Sequence, residues 1–164
     1  MKGETSDQSS AGSAAATARA AWMRVLALAG AEALDAAWAR LHGQGDVPAY
    51  RFLRKPESGM AMVRARAGGT GAQFNLGETT VTRCAVVLEA DGIAGVSYVQ
   101  GRGSRHAEQA AVLDALLQSP HWHARVQDAV IAPLDAALQA RASQQAAAAA
   151  QTRVEFFTMV RGED

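Results

Sequence analysis

The sequence predicts an α+β fold in one domain: an N-terminal helical hairpin, a mostly antiparallel β-sheet, C-terminal helices, and a final β-strand suited to pairing with a partner chain. Three observations lead there. Apolar spacing turns helical after Trp22, an unbroken apolar run over 84–88 precedes an Asp91-Gly92 turn, and helical spacing returns after Ser104. The 164 residues suffice for one hydrophobic core and are too few for two catalytic domains.

Residues 1–17 are Ser, Gly, Ala and acid with no apolar period, so a disordered tail is expected there and a single domain over 18–164. Trp22, Val25, Leu26 and Ala29 fall on one helical stripe, and Leu34, Trp38 and Leu41 on a second beyond Gly30, which predicts two short helices in a hairpin. Stretches 50–54 and 60–66 read as two strands joined by a turn carrying Pro56 and Gly59. The run at 84–88 lacks alternation, as a central strand covered on both faces does, and Asp91-Gly92 predicts a hairpin into 95–100. Ser104 is the expected N-cap of a helix that turns Ala110, Leu113, Leu116 and Leu117 inward. Ser119-Pro120 and Pro133 mark two further helix starts, the last running into the alanine-rich stretch 142–151 as an exposed helix. The terminal RVEFFTMVRG is rich in β-formers and too apolar to stay uncovered.

Sixteen Lys and Arg balance sixteen Asp and Glu, so bulk attraction to nucleic acid or an anionic membrane has no basis and an anion site must be local. A single cysteine, Cys84, excludes an internal disulfide or a multi-cysteine metal cluster built by this chain, and fits a reducing compartment. No apolar run approaches the roughly 18–20 residues of a membrane span, and the alanine-rich start carries charges foreign to a signal peptide, so a cytoplasmic location is expected.

Gly68, Gly69, Thr70 and Gly71 follow a strand holding Arg64 and Arg66; successive N–H groups in such a loop can cradle phosphate, although a plain tight connection uses the same residues. Arg102, Arg105, His106 and Glu108 gather at a helix start after Gly101 and Gly103, where an anion or ordinary capping would fit. His106-Ala107-Glu108 matches half of a zinc deaminase signature, but the Pro-Cys-x-x-Cys half is absent. His121 and His123 would point about 200° apart on a helix and could not share a metal ion. No bound metal is expected, Cys84 reads as a small core residue, and no catalytic constellation stands out.

The runs GGTGAQFNLGETTVTRC, YVQGRGSRHAEQAAVLDAL, VIAPLDA and FFTMVRG, in that order, resemble the PhnG family, the G subunit of carbon-phosphorus lyase, over the chain from about residue 22 to 162. Val87 stands where arginine is common in the family, and Gln73 where proline is frequent. The resemblance implies an accessory subunit required with the PhnI, PhnH and PhnL subunits to convert ATP and methylphosphonate into α-D-ribose 1-methylphosphonate 5-triphosphate and adenine. It also implies membership of a hetero-oligomer that includes PhnJ, with PhnK as a further candidate; from the balanced charge, no nucleic-acid or membrane partner is expected. The iron–sulfur cluster and S-adenosylmethionine belong to PhnJ; this chain is expected to bind no cofactor of its own. Candidate substrate-phosphate contacts are Arg66, Gly68, Gly69, Thr70, Gly71, Arg83, Arg102 and His106, and candidate partner contacts are Phe156, Phe157, Met159 and Arg161. A pure scaffold, in which the same loops touch no substrate, is the alternative; an independent enzyme is a third.

Overall fold

The computed structural model describes residues 5–67 and 70–151, with side chains described from residue 15 onward. Helices α1 (Thr5–Leu28) and α2 (Ala31–Gly43) precede strands β1 (Tyr50–Arg66), β2 (Gln73–Leu88) and β3 (Ala94–Gln100). Helix α3 (Ser104–Gln118) follows, then α4 (His123–Val126), one π-helical turn (Gln127–Ile131) and α5 (Ala132–Gln151). The sheet is antiparallel in the order β1-β2-β3.

Helix α3 is the centre of the molecule. Ala107, Ala110, Val112, Leu113, Leu116 and Leu117 are all buried, and they do not fall on one stripe. A helix apolar on all sides needs cover on all sides. The sheet supplies one layer through Cys84, Val86, Leu88 and Val99; the other comes from Trp22, Leu26, Leu34, Leu41, Val126 and Val130 of the surrounding helices. The α1 and α2 stripes read from the sequence are the buried ones, apart from Trp38, which is half-buried.

Strand β3 lies so close to α3 that a Cβ on Gly95 would sit 2.6 Å from the Ala115 amide nitrogen and collide with the Ala111 carbonyl. Glycine is therefore a packing requirement there. The neighbouring anchor is Asp114, whose side chain has no exposed surface. Its carboxylate accepts from Arg19 Nε and Nη2 (3.1 and 2.7 Å), Trp22 Nε1 (2.9 Å) and the Val96 amide (2.9 Å). One buried charge thus ties α1, α3 and β3, and its lone pairs are satisfied as a buried carboxylate requires. The Asp114 hydrogen bonds raise the Arg19 pKa.

Several expectations need correction. Residues 50–66 form one strand, with register shifts between Phe52 and Arg54 and between Arg54 and Glu57. Pro56, read as a turn residue, lies in that irregular stretch of an edge strand, where a missing N–H costs no inner ladder bond. Helix α1 spans Thr5–Leu28 and is longer than the short helix expected from Trp22; alanine has the strongest helix propensity. Ser104 is the first residue of α3, with Gly103 at the cap position and no side-chain cap bond. The helix start expected at Pro133 falls one residue inside α5, which begins at Ala132 and follows the π turn without a break. The π turn before it, closed by the Ala132 amide on the Gln127 carbonyl, widens the ladder at the point where a proline ring would crowd an α-helix.

The apolar run at 84–88 is the central strand, as expected, and the Asp91-Gly92 hairpin is present, with Gly92 at φ +70°. The expected C-terminal strand, with Phe156, Phe157, Met159 and Arg161, lies outside the described residues. Among the described residues no helix is long and apolar enough to cross a membrane.

Candidate functional site

Antiparallel pairing decides where the polar and basic side chains go. β1 and β2 pair from Tyr50↔Leu88 to Arg66↔Gln73, whereas β3 accompanies β2 only between Val81 and Val87. From Met60↔Thr80 onward the first two strands continue as an arm about 20 Å long at the usual strand rise. Met60 is 67 % exposed and Leu76 63 %, and Met62, Val63 and Phe74 are also open. The ladder slips between Val63↔Gly77 and Arg64↔Asn75, which leaves Leu76 as the unpaired residue of a bulge.

The arm's tip holds part of the sequence-predicted anion loop. Arg66 Nη1 donates to the Gly71 carbonyl (3.2 Å), and the Gly71 amide donates to the Ala67 carbonyl (3.3 Å), with Thr70 exposed beside them. Gly68 and Gly69 lie outside the described residues. Arg83 is not part of this group: it sits ten positions along β2 from Gln73, the partner of Arg66, or roughly 30 Å at strand rise. There it meets Glu57 (2.6 Å), which also binds Arg54 (2.5 Å). Arg54, and then Arg83, hold the Glu57 carboxyl below its ordinary range.

Arg102 borders a cavity of about 140 Å³ at the root of the arm, with Ser58, Gly59, Met60 and Thr80. Beside it, Thr82 Oγ1 donates to the Gly101 carbonyl (2.6 Å) and lies 3.0 Å from Ser58 Oγ. His106 turns away from that cavity: its Nε2 donates to the Leu26 carbonyl (2.7 Å), closing the end of α1. The structure therefore gathers Arg66, Thr70 and Gly71, and places Arg83, Arg102 and His106 at three other points.

A pocket of about 220 Å³ between α2, β1 and α3, lined by Trp38, Tyr50, Arg105, Glu108 and Gln109, was not expected from the sequence. Tyr50 donates to Glu108 Oε1 (2.6 Å), while Arg105 Nε and Gln109 Nε2 both donate to Asp35 Oδ1 (2.7 Å each). The signal available beforehand was spacing, since Asp35 and Trp38 are i,i+3 neighbours on α2 and Arg105, Glu108 and Gln109 share a face of α3. Burial, then the Glu108 hydrogen bond, pushes the Tyr50 hydroxyl up to about 12. Burial also raises the Cys84 thiol to about 11, with Glu108 adding to the effect. Gln109 and then Arg105 lower the Asp35 carboxyl. Groups shifted in these directions hold their neutral-pH protonation states more firmly, the reverse of what a general acid or base or a thiolate nucleophile needs. Among the described residues no three His, Cys, Asp or Glu side chains gather as a metal site.

Comparison with known proteins adds two findings. Residues 17–162 match the family model described as phosphonate metabolism protein PhnG. The chain is also similar to the alpha-D-ribose 1-methylphosphonate 5-triphosphate synthase subunit PhnG of Rhizobium meliloti (strain 1021), 43 % identical over 145 residues that cover 87 % of this chain and 88 % of that protein.

Proposed function

Because the chain belongs to the PhnG family of phosphonate metabolism proteins, we propose that it is an accessory subunit of the carbon-phosphorus lyase complex. In that role it acts with PhnI, PhnH and PhnL in the step that exchanges the adenine of ATP for methylphosphonate, giving α-D-ribose 1-methylphosphonate 5-triphosphate. PhnJ, which would carry the iron–sulfur cluster and S-adenosylmethionine, and PhnK complete the set of partners.

The observation that carries this reading is a pairing of features in one molecule. The titratable groups with shifted pKa values are set against proton transfer, while a two-stranded arm presents five large apolar side chains to solvent. A chain built this way supplies surface to other chains. Arg83 and Arg66 already have partners, in Glu57 and the Gly71 carbonyl, which favours a second reading in which the subunit is a scaffold and touches no substrate.

The test is an omission assay that follows adenine release from ATP and methylphosphonate. The sister subunits without this chain should be inactive, its addition should restore turnover, and the chain alone should release nothing. Undiminished turnover in its absence contradicts the proposal. Within a working assay, Arg66→Ala and Arg102→Ala separate the two readings: loss of rate in an intact assembly favours substrate contact, and an unchanged rate favours the scaffold.

A further inference from the structure

We propose that the arm built from residues 60–66 and 73–80 inserts into an apolar cleft with an acidic floor on a sister subunit. The inference rests on the accessory-subunit reading and deepens it by naming the surface and the kind of partner.

Apolar side chains stand on both faces of the arm. Met60 and Met62 share the face of Thr80 and Glu78, their cross-strand partners, and Val63 opposite Gly77 takes the other face. All three are exposed, as are Phe74 and Leu76 further out. A flat surface, such as a membrane, could cover one face only; a cleft covers both. The five side chains together expose a few hundred Å², the scale that marks an interaction site on an otherwise polar molecule.

An isolated two-stranded ribbon is marginal in water, so an arm with no third strand or covering helix among the described residues gains order from what encloses it. Charge selects the kind of cleft. The chain as a whole is neutral, but the arm carries Arg64 and Arg66 near its tip against Glu78 alone, a net of +1. Among the described residues no ion pair occupies Arg64 or Arg66 at the tip. Carboxylates at the floor of the cleft would complement them and steer docking.

The experiment places a photo-crosslinking amino acid at position 62 or 76 of the full chain, co-expressed with its sister subunits, and identifies the joined peptides by mass spectrometry. Cross-links to a sister subunit, at a segment containing Asp or Glu, are expected from both positions. The Met62→Glu/Leu76→Glu variant should lower the co-purified sister subunits at least tenfold without shifting the free chain's unfolding midpoint, since both side chains are exposed. Arg64→Glu/Arg66→Glu, a second variant at exposed positions, should weaken retention most at low salt.

Cross-links confined to a second copy of this chain, to its own residues 152–164, to nucleic acid or to lipid would overturn the docking proposal. So would an assembled complex without arm cross-links, or full retention of sister subunits by both variants. If the unaltered chain retains no sister subunit at all, the accessory-subunit reading fails instead.

Discussion

Gly95 and Asp114 carry the closest fit in the molecule, and each makes a direct prediction. A methyl group at position 95 must push β3 off the α3 backbone, so Gly95→Ala should destabilise the chain by about 1–3 kcal/mol in urea unfolding, the usual cost of overpacking. Asp114→Ala leaves the Trp22 indole and the Val96 amide without their acceptor and should cost about 3 kcal/mol, near the lower end for breaking a buried pair because Arg19 is partly open to water. Tyr50 and Cys84 make a third. Both folded-state pKa values are raised, from 10.0 to about 12 and from 9.0 to about 11, so the proton is held more tightly in the folded chain. Their contributions to stability are therefore full below about pH 9 and fall away as the pH climbs through the windows from 9 to about 11 and from 10 to about 12. Ultraviolet titration should show one tyrosine ionising late, and Tyr50→Phe should remove that phase. At pH 7.5 iodoacetamide should leave Cys84 unmodified in the folded chain and alkylate it in urea. The sequence showed Cys84 as a core residue because its neighbours are apolar. It concealed the Asp114 anchor, whose donors lie as far away as Arg19, 95 residues off in the chain.

At the scale of elements, the arm and the strand segment it grows from should differ in dynamics. Amides of 81–87 sit between two strands and under α3, whereas those of 60–66 and 73–80 rely on a single ladder. Hydrogen exchange should be slow in the first set and at least a hundredfold faster in the second in the free chain, with the arm slowing on assembly. Equal protection of both sets without a partner would mean that the ribbon does not need one. The central strand, the Asp91-Gly92 hairpin and the inward residues Ala110, Leu113, Leu116 and Leu117 of α3 were legible because each writes its environment into a local pattern. β1 was not: Pro56 and Gly59 form the same signal whether the chain turns back or merely bulges along an unpaired edge, and only the length of β2 decides between them. Nor does alternation tell which apolar face lacks cover. Met60 and Met62, apolar residues of the strand expected over 60–66, are exposed in the fold.

The whole molecule is a three-layer body, sheet, α3 and outer helices, from which one apolar, basic ribbon extends. The α+β class follows from the sequence, because a long apolar strand and repeated helical stripes must cover one another. The site was legible only in fragments. The loop motif drew attention to Arg66, Thr70 and Gly71, which do meet at the tip, but linear proximity could not show that Arg83 stands on another part of the ribbon or that His106 is engaged by the end of α1. Residues that share a function in an assembly need not face one another within one subunit.

Size-exclusion chromatography with light scattering tests the account most directly. Co-expressed with its sister subunits, the chain should elute with them in one species well above its own 17.1 kDa, and Met62→Glu/Leu76→Glu should shift it out of that peak. Elution of the unaltered chain by itself at 17.1 kDa, in the presence of those subunits, would contradict it.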